Sequence, residues 1–129
     1  MKLLLDTHIW VWSMLDPGRV SRRVQSVLRP GVHELWLSPV SAWETLNLHA
    51  KGRIRLDGDP VAWILAAANR IREAPLTQEI VLAAYQLSWS HQDPADRFLA
   101  ATAQVLGLTL VTADERLLAF KDIATMPNR

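Results

Sequence analysis

Cysteine is absent from the chain. Its absence excludes disulfides, thiolate-bound zinc and a cysteine nucleophile, and it fits a reducing compartment. Long apolar runs are missing too. Nothing approaches the roughly 20 residues that a membrane span requires, and Met1-Lys2-Leu3-Leu4-Leu5-Asp6 meets a charge too soon to read as a signal peptide. The expectation is a cytoplasmic protein with no membrane partner. No G-x-G-x-x-G, G-x-x-x-x-G-K-[ST], H-E-x-x-H or G-x-S-x-G pattern occurs. The usual signatures of dinucleotide, P-loop, zincin and α/β-hydrolase chemistry are therefore lacking. Neither sign of charge dominates: 14 Lys+Arg face 13 Asp+Glu, a net charge of +1, so the chain as a whole is no polycation.

What is present is an ordinary globular balance, 50% apolar and 21% charged over 129 residues. That length fits one domain, residues 1–129, able to bury roughly two-thirds of its unfolded surface without covalent staples. The basic residues are clustered: Arg19, Arg22, Arg23 and Arg29, then Lys51, Arg53 and Arg55, then Arg70 and Arg72. Such clusters can touch phosphates, or they can be solvated helix faces and helix C-terminal charges. The sequence leaves both readings open.

Lys2 to Leu5 reads as a strand buried on both faces, followed by a helix from about Thr7. Asp16-Pro17-Gly18 marks a turn. Ser21 to Arg29 is a second helix, stopped by Pro30-Gly31, and Glu34 to Leu37 a second strand. Ser38-Pro39 caps a helix to about Lys51, closed by Gly52. Asp59-Pro60 opens a helix expected to reach about Arg72, with Ala74-Pro75-Leu76 as a short edge strand after it. Thr77-Gln78-Glu79-Ile80 starts a helix to about Trp89. Asp93-Pro94 opens another over Ala95 to Leu106, ended by Gly107. Leu108 to Thr112 is the clearest strand, Ala113 to Phe120 a short helix, and Ile123-Ala124-Thr125 a last strand. Strands alternating with helices predict an α/β fold, with a mostly parallel central sheet covered on both faces. In such sheets the working crevice lies beyond the carboxyl ends of the strands.

That rule gathers four acids. Asp6 ends the first strand, Asp114 follows the Leu108–Thr112 strand, Glu44 sits about two turns into the helix after the second strand, and Asp96 lies in the first turn after Asp93-Pro94. Each has a purely structural alternative. Asp6 can cap the helix at Thr7, Ser41 to Glu44 and Thr112 to Glu115 match capping boxes, and Asp96 complements a helix dipole. Together, crowded carboxylates repel unless a cation joins them. Oxygen-rich, sulfur-free sites suit Mg²⁺ or Mn²⁺, which can activate water and stabilise a phosphoryl group in flight.

Leu3-Leu4-Leu5-Asp6-Thr7-His8, Ser38-Pro39-Val40-Ser41-Ala42-Trp43-Glu44, His91-Gln92-Asp93-Pro94-Ala95-Asp96-Arg97 and Leu110-Val111-Thr112-Ala113-Asp114 resemble, in order, the four motifs of PIN-domain ribonucleases. The VapC toxins of bacterial toxin–antitoxin pairs are the members they resemble most. The resemblance implies a three-layer PIN-like fold and a Mg²⁺/Mn²⁺-dependent endoribonuclease. It further implies an RNA substrate, a homodimer and a VapB-type antitoxin partner. Asp6, Glu44, Asp96 and Asp114 match its acidic quartet, as metal ligands and catalytic residues, and Thr112 matches the hydroxyl that accompanies the last acid. One departure is Ala95, where a bulky aromatic is usual; a roomier pocket floor is expected.

Other residues carry two readings each. Asp93 is an N-cap or a metal contact. His8 and His91 are structural or take part as ligand or base, and Arg97 is a structural salt-bridge partner or a phosphate clamp. Trp10 and Trp43 can stack bases, although aromatics in apolar helices usually belong to the core. Two rival functions remain. An aspartyl-phosphate enzyme would use Asp6 as nucleophile, but His8 stands where a second acid is wanted. A non-catalytic dimerisation module would have no use for the four acids.

Overall fold

A computed structural model describes residues 1–129. The strands are β1 (Lys2–Leu5), β2 (Glu34–Leu37), β3 (Arg72–Glu73), β4 (Thr109–Thr112) and β5 (Thr125–Pro127). The helices are α1 (Thr7–Leu15), α2 (Arg22–Val27), α3 (Pro39–Ala50), α4 (Pro60–Ala67), α5 (Gln78–Gln86), α6 (Pro94–Leu106) and α7 (Glu115–Ala119), with a 3₁₀ turn at Pro17–Arg19. The sheet runs β3-β2-β1-β4-β5, and every pairing is parallel. The expectation of a mostly parallel sheet is met by one that is parallel throughout.

Strand alternation sends successive side chains to opposite faces, and β1 shows why its run is uninterruptedly apolar. Leu3 and Leu5 join Ile9, Trp10, Val24, Ile64 and Val111 in one buried cluster. Leu4 joins Leu99, Ala100, Leu110, Leu117 and Phe120 in another on the far side. Both clusters are sealed because helices cover both faces, as parallel sheets require.

Several boundaries differ from expectation. α4 stops at Ala67 instead of running to Arg72, because Arg72 and Glu73 pair with Trp36 and Leu37 as β3. The edge strand thus lies two residues before Ala74-Pro75-Leu76. Ala74 is instead buried, its N–H donated to Leu37 O at 2.9 Å. α5 ends at Gln86 rather than Trp89, and the last strand is Thr125–Pro127 rather than Ile123–Thr125. Trp10 is in the core, but Trp43 is 65% exposed, so the usual core placement of a helical aromatic fails there.

α6 must hand the chain directly to β4. Gly107 does so at φ +65°, in the left-handed region, with its N–H and that of Leu108 both donated to Ala103 O. A Cβ at Gly107 would meet nothing within 4 Å, so the cost of a side chain there is conformational only. Gly107→Ala is expected to lower stability by about 1–2 kcal/mol, read from urea unfolding, and Gly107→Asn by less, since asparagine tolerates that region better.

Candidate active site

Strand order reverses between β1 and β4, and in doubly wound sheets that switch point opens a crevice. Asp6 marks it. Its N–H donates to Val111 O at 3.0 Å, extending the β1–β4 ladder by one step, and its carboxylate turns to begin α1. Oδ1 accepts from Thr7 N–H at 2.8 Å, and Oδ2 accepts from the Thr112 hydroxyl at 2.6 Å. Thr112 also accepts the Asp114 N–H at 3.0 Å. One buried hydroxyl therefore bridges the acid after β1 and the acid after β4.

A cleft of about 320 Å³ is lined by Asp6, Glu44, Asp96 and Asp114, together with Asp93, His8, Trp12 and Arg116. All four acids anticipated from the sequence face it. Glu44 reaches it from α3, with the Thr7 hydroxyl donated to its Oε1 at 2.5 Å. That hydroxyl also lies 2.9 Å from Ser41 Oγ. Asp96 comes from the first turn of α6, its Oδ2 sharing a 2.7 Å hydrogen bond with His91 Nε2. One group of three ligand-type side chains lies with its ligand atoms all within 4.8 Å of one another, His91, Asp93 and Asp96; of the four anticipated acids only Asp96 belongs to it. Ala95 does not reach the cleft wall.

Burial and mutual repulsion govern the electrostatics. Burial pushes the Asp6 carboxyl up, against the Thr112 and Thr7 hydrogen bonds. Burial also raises Glu44, with the Asp6 and Asp93 charges adding to it and the Thr7 hydrogen bond opposing. Asp96 goes from the ordinary 3.8 up to about 6, through burial first and then the charges of Asp93, Asp6 and Asp114, against the His91 hydrogen bond. Asp114 alone goes down. Its burial acts upward, but the side-chain and backbone hydrogen bonds and the charge of Arg116 outweigh it. A donor set of crowded oxygens, three of them reluctant to ionise, is one that a hard divalent cation fits and would relieve.

Ser38 caps α3 as expected, accepting from Val40 N–H at 3.1 Å, so the capping-box alternative at Ser41 to Glu44 is not realised. The alternative at Thr112 to Glu115 is not realised either: Asp114 caps α7, accepting from Arg116 N–H at 2.8 Å. Asp93 does cap α6, through Ala95 N–H at 3.2 Å, while also lining the cleft.

Arg97 meets neither expectation. It pairs with no carboxylate and does not face the cleft. Its guanidinium instead donates to five carbonyls: Ala84, Tyr85, Leu87, Trp89 and His91. Every N–H of the fork is used, which fixes the irregular segment after α5. The same segment carries His91, whose ring packs edge-on against Trp89, itself stacked on Phe120. Thr7, Trp12 and Arg116 are the contributors that sequence reasoning missed. For Thr7 the only signal was its place beside Asp6 at a helix start.

Two outcomes are expected. A lysine cannot reproduce a planar fork of five donors, so Arg97→Lys is expected to cost about 2–4 kcal/mol in urea unfolding. For the acids the sign follows from proton binding. With folded values above the ordinary ones, the native state holds more protons between about pH 4 and 6, so metal-free stability falls as pH rises through that window. Asp96→Asn removes this term. In EDTA its unfolding free energy is expected to gain on the unaltered protein by roughly 1–3 kcal/mol between pH 4 and 7. An advantage that stays constant with pH would refute the raised Asp96 value.

Comparison with known proteins agrees with this geometry. The PIN-domain family model matches residues 3–125. The chain is 33% identical over 116 residues to Ribonuclease VapC22 of Mycobacterium tuberculosis, covering 89% of this chain and 88% of that protein. Its fold is similar to DNA-bound VapBC from Salmonella typhimurium, with a TM-score of 0.75, 14% identity and 100% and 99% of the two chains covered. It is also similar to DNA-bound VapBC2 from Rickettsia felis, with a TM-score of 0.74, 13% identity and 98% of each chain covered. Five parallel strands, a crevice at the switch point with acids drawn from four separate segments, and the family match over nearly the whole chain lead to one assignment: the chain belongs to the PIN-domain family.

Proposed function

We propose that this protein is a divalent-metal-dependent endoribonuclease, with residues 1–129 acting as one catalytic unit, and that it is the toxin of a type II toxin–antitoxin pair. The observation that carries the reading is the convergence of Asp6, Glu44, Asp96 and Asp114 on one cleft at the switch point. Similarity to a protein named a ribonuclease supports the choice of RNA.

Asp6, Glu44, Asp96 and Asp114 would hold Mg²⁺ or Mn²⁺, which when bound lowers the pKa of water and offsets charge on a phosphoryl group. The chain's own residues prepare that site. Thr112 and Thr7 N–H hold Asp6 in one orientation, the Thr7 hydroxyl holds Glu44, and His91 holds Asp96. α1 and α6 both begin at the cleft, turning the positive ends of their dipoles toward an incoming phosphate.

Partners are inferred in the same way. Similarity to VapBC complexes supports a VapB-type antitoxin. A groove of about 660 Å³ between α1, α2 and α4, lined in part by Trp10, gives such a partner a surface. Val61 and Leu65 on α4 and Leu82 and Tyr85 on α5 are exposed apolar side chains of the kind a homodimer would cover. No helix is long and apolar enough to cross a membrane.

Asp6→Asn and Asp96→Asn are each expected to lower the RNA cleavage rate by more than about 100-fold, with circular dichroism unchanged and carboxylate-dependent Mn²⁺ binding weakened in calorimetric titration. Cleavage at the unaltered rate by either variant would end these assignments.

A further inference from the structure

The acidic cleft has an electrostatic difficulty. Five carboxylates face it and one guanidinium, Arg116, which is already paired with Asp114 at 3.3 Å. A polyanion approaching it needs cations nearby, because affinity for nucleic acid comes largely from neutralised phosphates. Most of the basic clusters seen in the sequence are elsewhere or engaged. Arg29 and Arg70 line the apolar groove behind α1. Arg72 sits 3.7 Å from Glu34, and Arg19 lies over the Trp12 ring at 4.2 Å.

Lys51 and Arg53 are different. They line a smaller cavity of about 160 Å³ together with Asn47, and it lies beside the acidic cleft, with His8 and Glu44 lining both. Both are exposed, and neither pairs with a carboxylate. Their placement is built in. Glu44, Asn47 and Lys51 follow one another at helical spacing along a single face of α3. Lys51 lies about 10 Å beyond Glu44 along the axis, at 1.5 Å per residue. Gly52, at φ +72°, then folds the chain back, its N–H donated to His49 O at 3.0 Å and that of Arg53 to Leu48 O at 2.9 Å. The segment that follows is pinned by buried Leu56, whose N–H donates to His49 Nδ1 at 3.2 Å. Arg55, in the same sequence cluster, lines neither cavity.

We propose that Lys51 and Arg53, on the turn closing α3, form a phosphate-binding subsite that holds the RNA strand beside the cleavage centre. The subsite rests on the ribonuclease reading and adds to it where the strand runs: from the acids, past His8, along α3 toward its C-terminal end. Cations at a helix C-terminus also complement its dipole, but that role needs no connection to the acidic cleft and predicts a different result.

The test uses the full chain and a short single-stranded oligoribonucleotide of mixed sequence. Binding is followed by fluorescence anisotropy against salt, with Mg²⁺ present and Asp96→Asn as the background to prevent cleavage. Adding Lys51→Ala and Arg53→Ala together is expected to reduce the slope of log K against log salt by about 1.4, at roughly 0.7 per single-strand phosphate contact. Arg55→Ala should leave the slope unchanged. With Asp96 intact, the double variant should raise KM roughly tenfold with kcat within about twofold, and its Mn²⁺ affinity should match the unaltered protein. An undiminished slope, or one equal to that of Arg55→Ala, would overturn the subsite, as would a loss confined to thermal stability, the signature of a dipole role alone. If the unaltered protein neither binds nor cuts RNA, the ribonuclease reading falls and takes the subsite with it. A protein that cuts RNA while the double variant binds it normally leaves that reading standing and removes the subsite alone.

Discussion

Carboxylates that repel one another are brought to one cleft, partly out of water, at the edge of a parallel sheet, and the rest of the architecture is arranged to keep them there. The sheet supplies the place. With order β3-β2-β1-β4-β5, the connections leave β1 and β4 in opposite directions, and the gap between those strand ends is where Asp6 and Asp114 emerge. The helices supply the remainder, α3 bringing Glu44 and α6 bringing Asp96 to the same cleft. Because burial raises the pKa of three of these groups, the apo fold carries an electrostatic cost that a bound cation would remove. Stability and cation binding would then be coupled through the same atoms.

Such an arrangement holds only if each carboxylate has a fixed orientation, since a free one would swing into solvent. Neutral donors do most of that work. Thr112 serves Asp6 and receives Asp114 N–H; Thr7 serves Glu44. A hydroxyl orients a carboxylate without adding a positive charge that would compete with a metal. Arg97 acts one step further out. By donating to five carbonyls it stiffens the segment that presents His91 to Asp96. A positive side chain directly beside the quartet is found only at Arg116, on its most exposed member, Asp114.

Much of this was legible from residue order, and what was not has identifiable causes. The strand at Lys2–Leu5 is an apolar run with helices on both sides, and the parallel-sheet rule turns it into a position for Asp6. The helix after Asp59-Pro60 was drawn too long because Ala66 to Arg70 contains no glycine or proline to stop it. Pairing of Arg72 and Glu73 with β2, a tertiary event, ends it instead. Trp43 followed the ordinary preference of a large aromatic for the core and was misplaced, since α3 turns it outward. Arg97 could not be read because its partners are main-chain carbonyls, which carry no sequence identity. Thr7 could not either, because its contact with Glu44 spans 37 positions.

Capping a helix and facing the cleft turn out not to exclude each other. Asp6, Asp93 and Asp114 each cap a helix through Oδ1, accepting from Thr7, Ala95 and Arg116 N–H respectively. Each also lines the cleft. A cap fixes the side-chain torsion with one oxygen and leaves the second to point elsewhere. In a parallel α/β sheet the helix that follows a strand starts at the carboxyl edge, which is also where the crevice opens. The N-cap position therefore lets local helix geometry set one oxygen of an acid at the cleft, and a second donor then holds the other oxygen, Thr112 for Asp6 and Arg116 for Asp114. Asp96, which caps nothing, needs a separate device, and it has one in His91. Behind that histidine Trp89 packs edge-on and Phe120 stacks on Trp89, so the ring that orients the acid is itself fixed by packing.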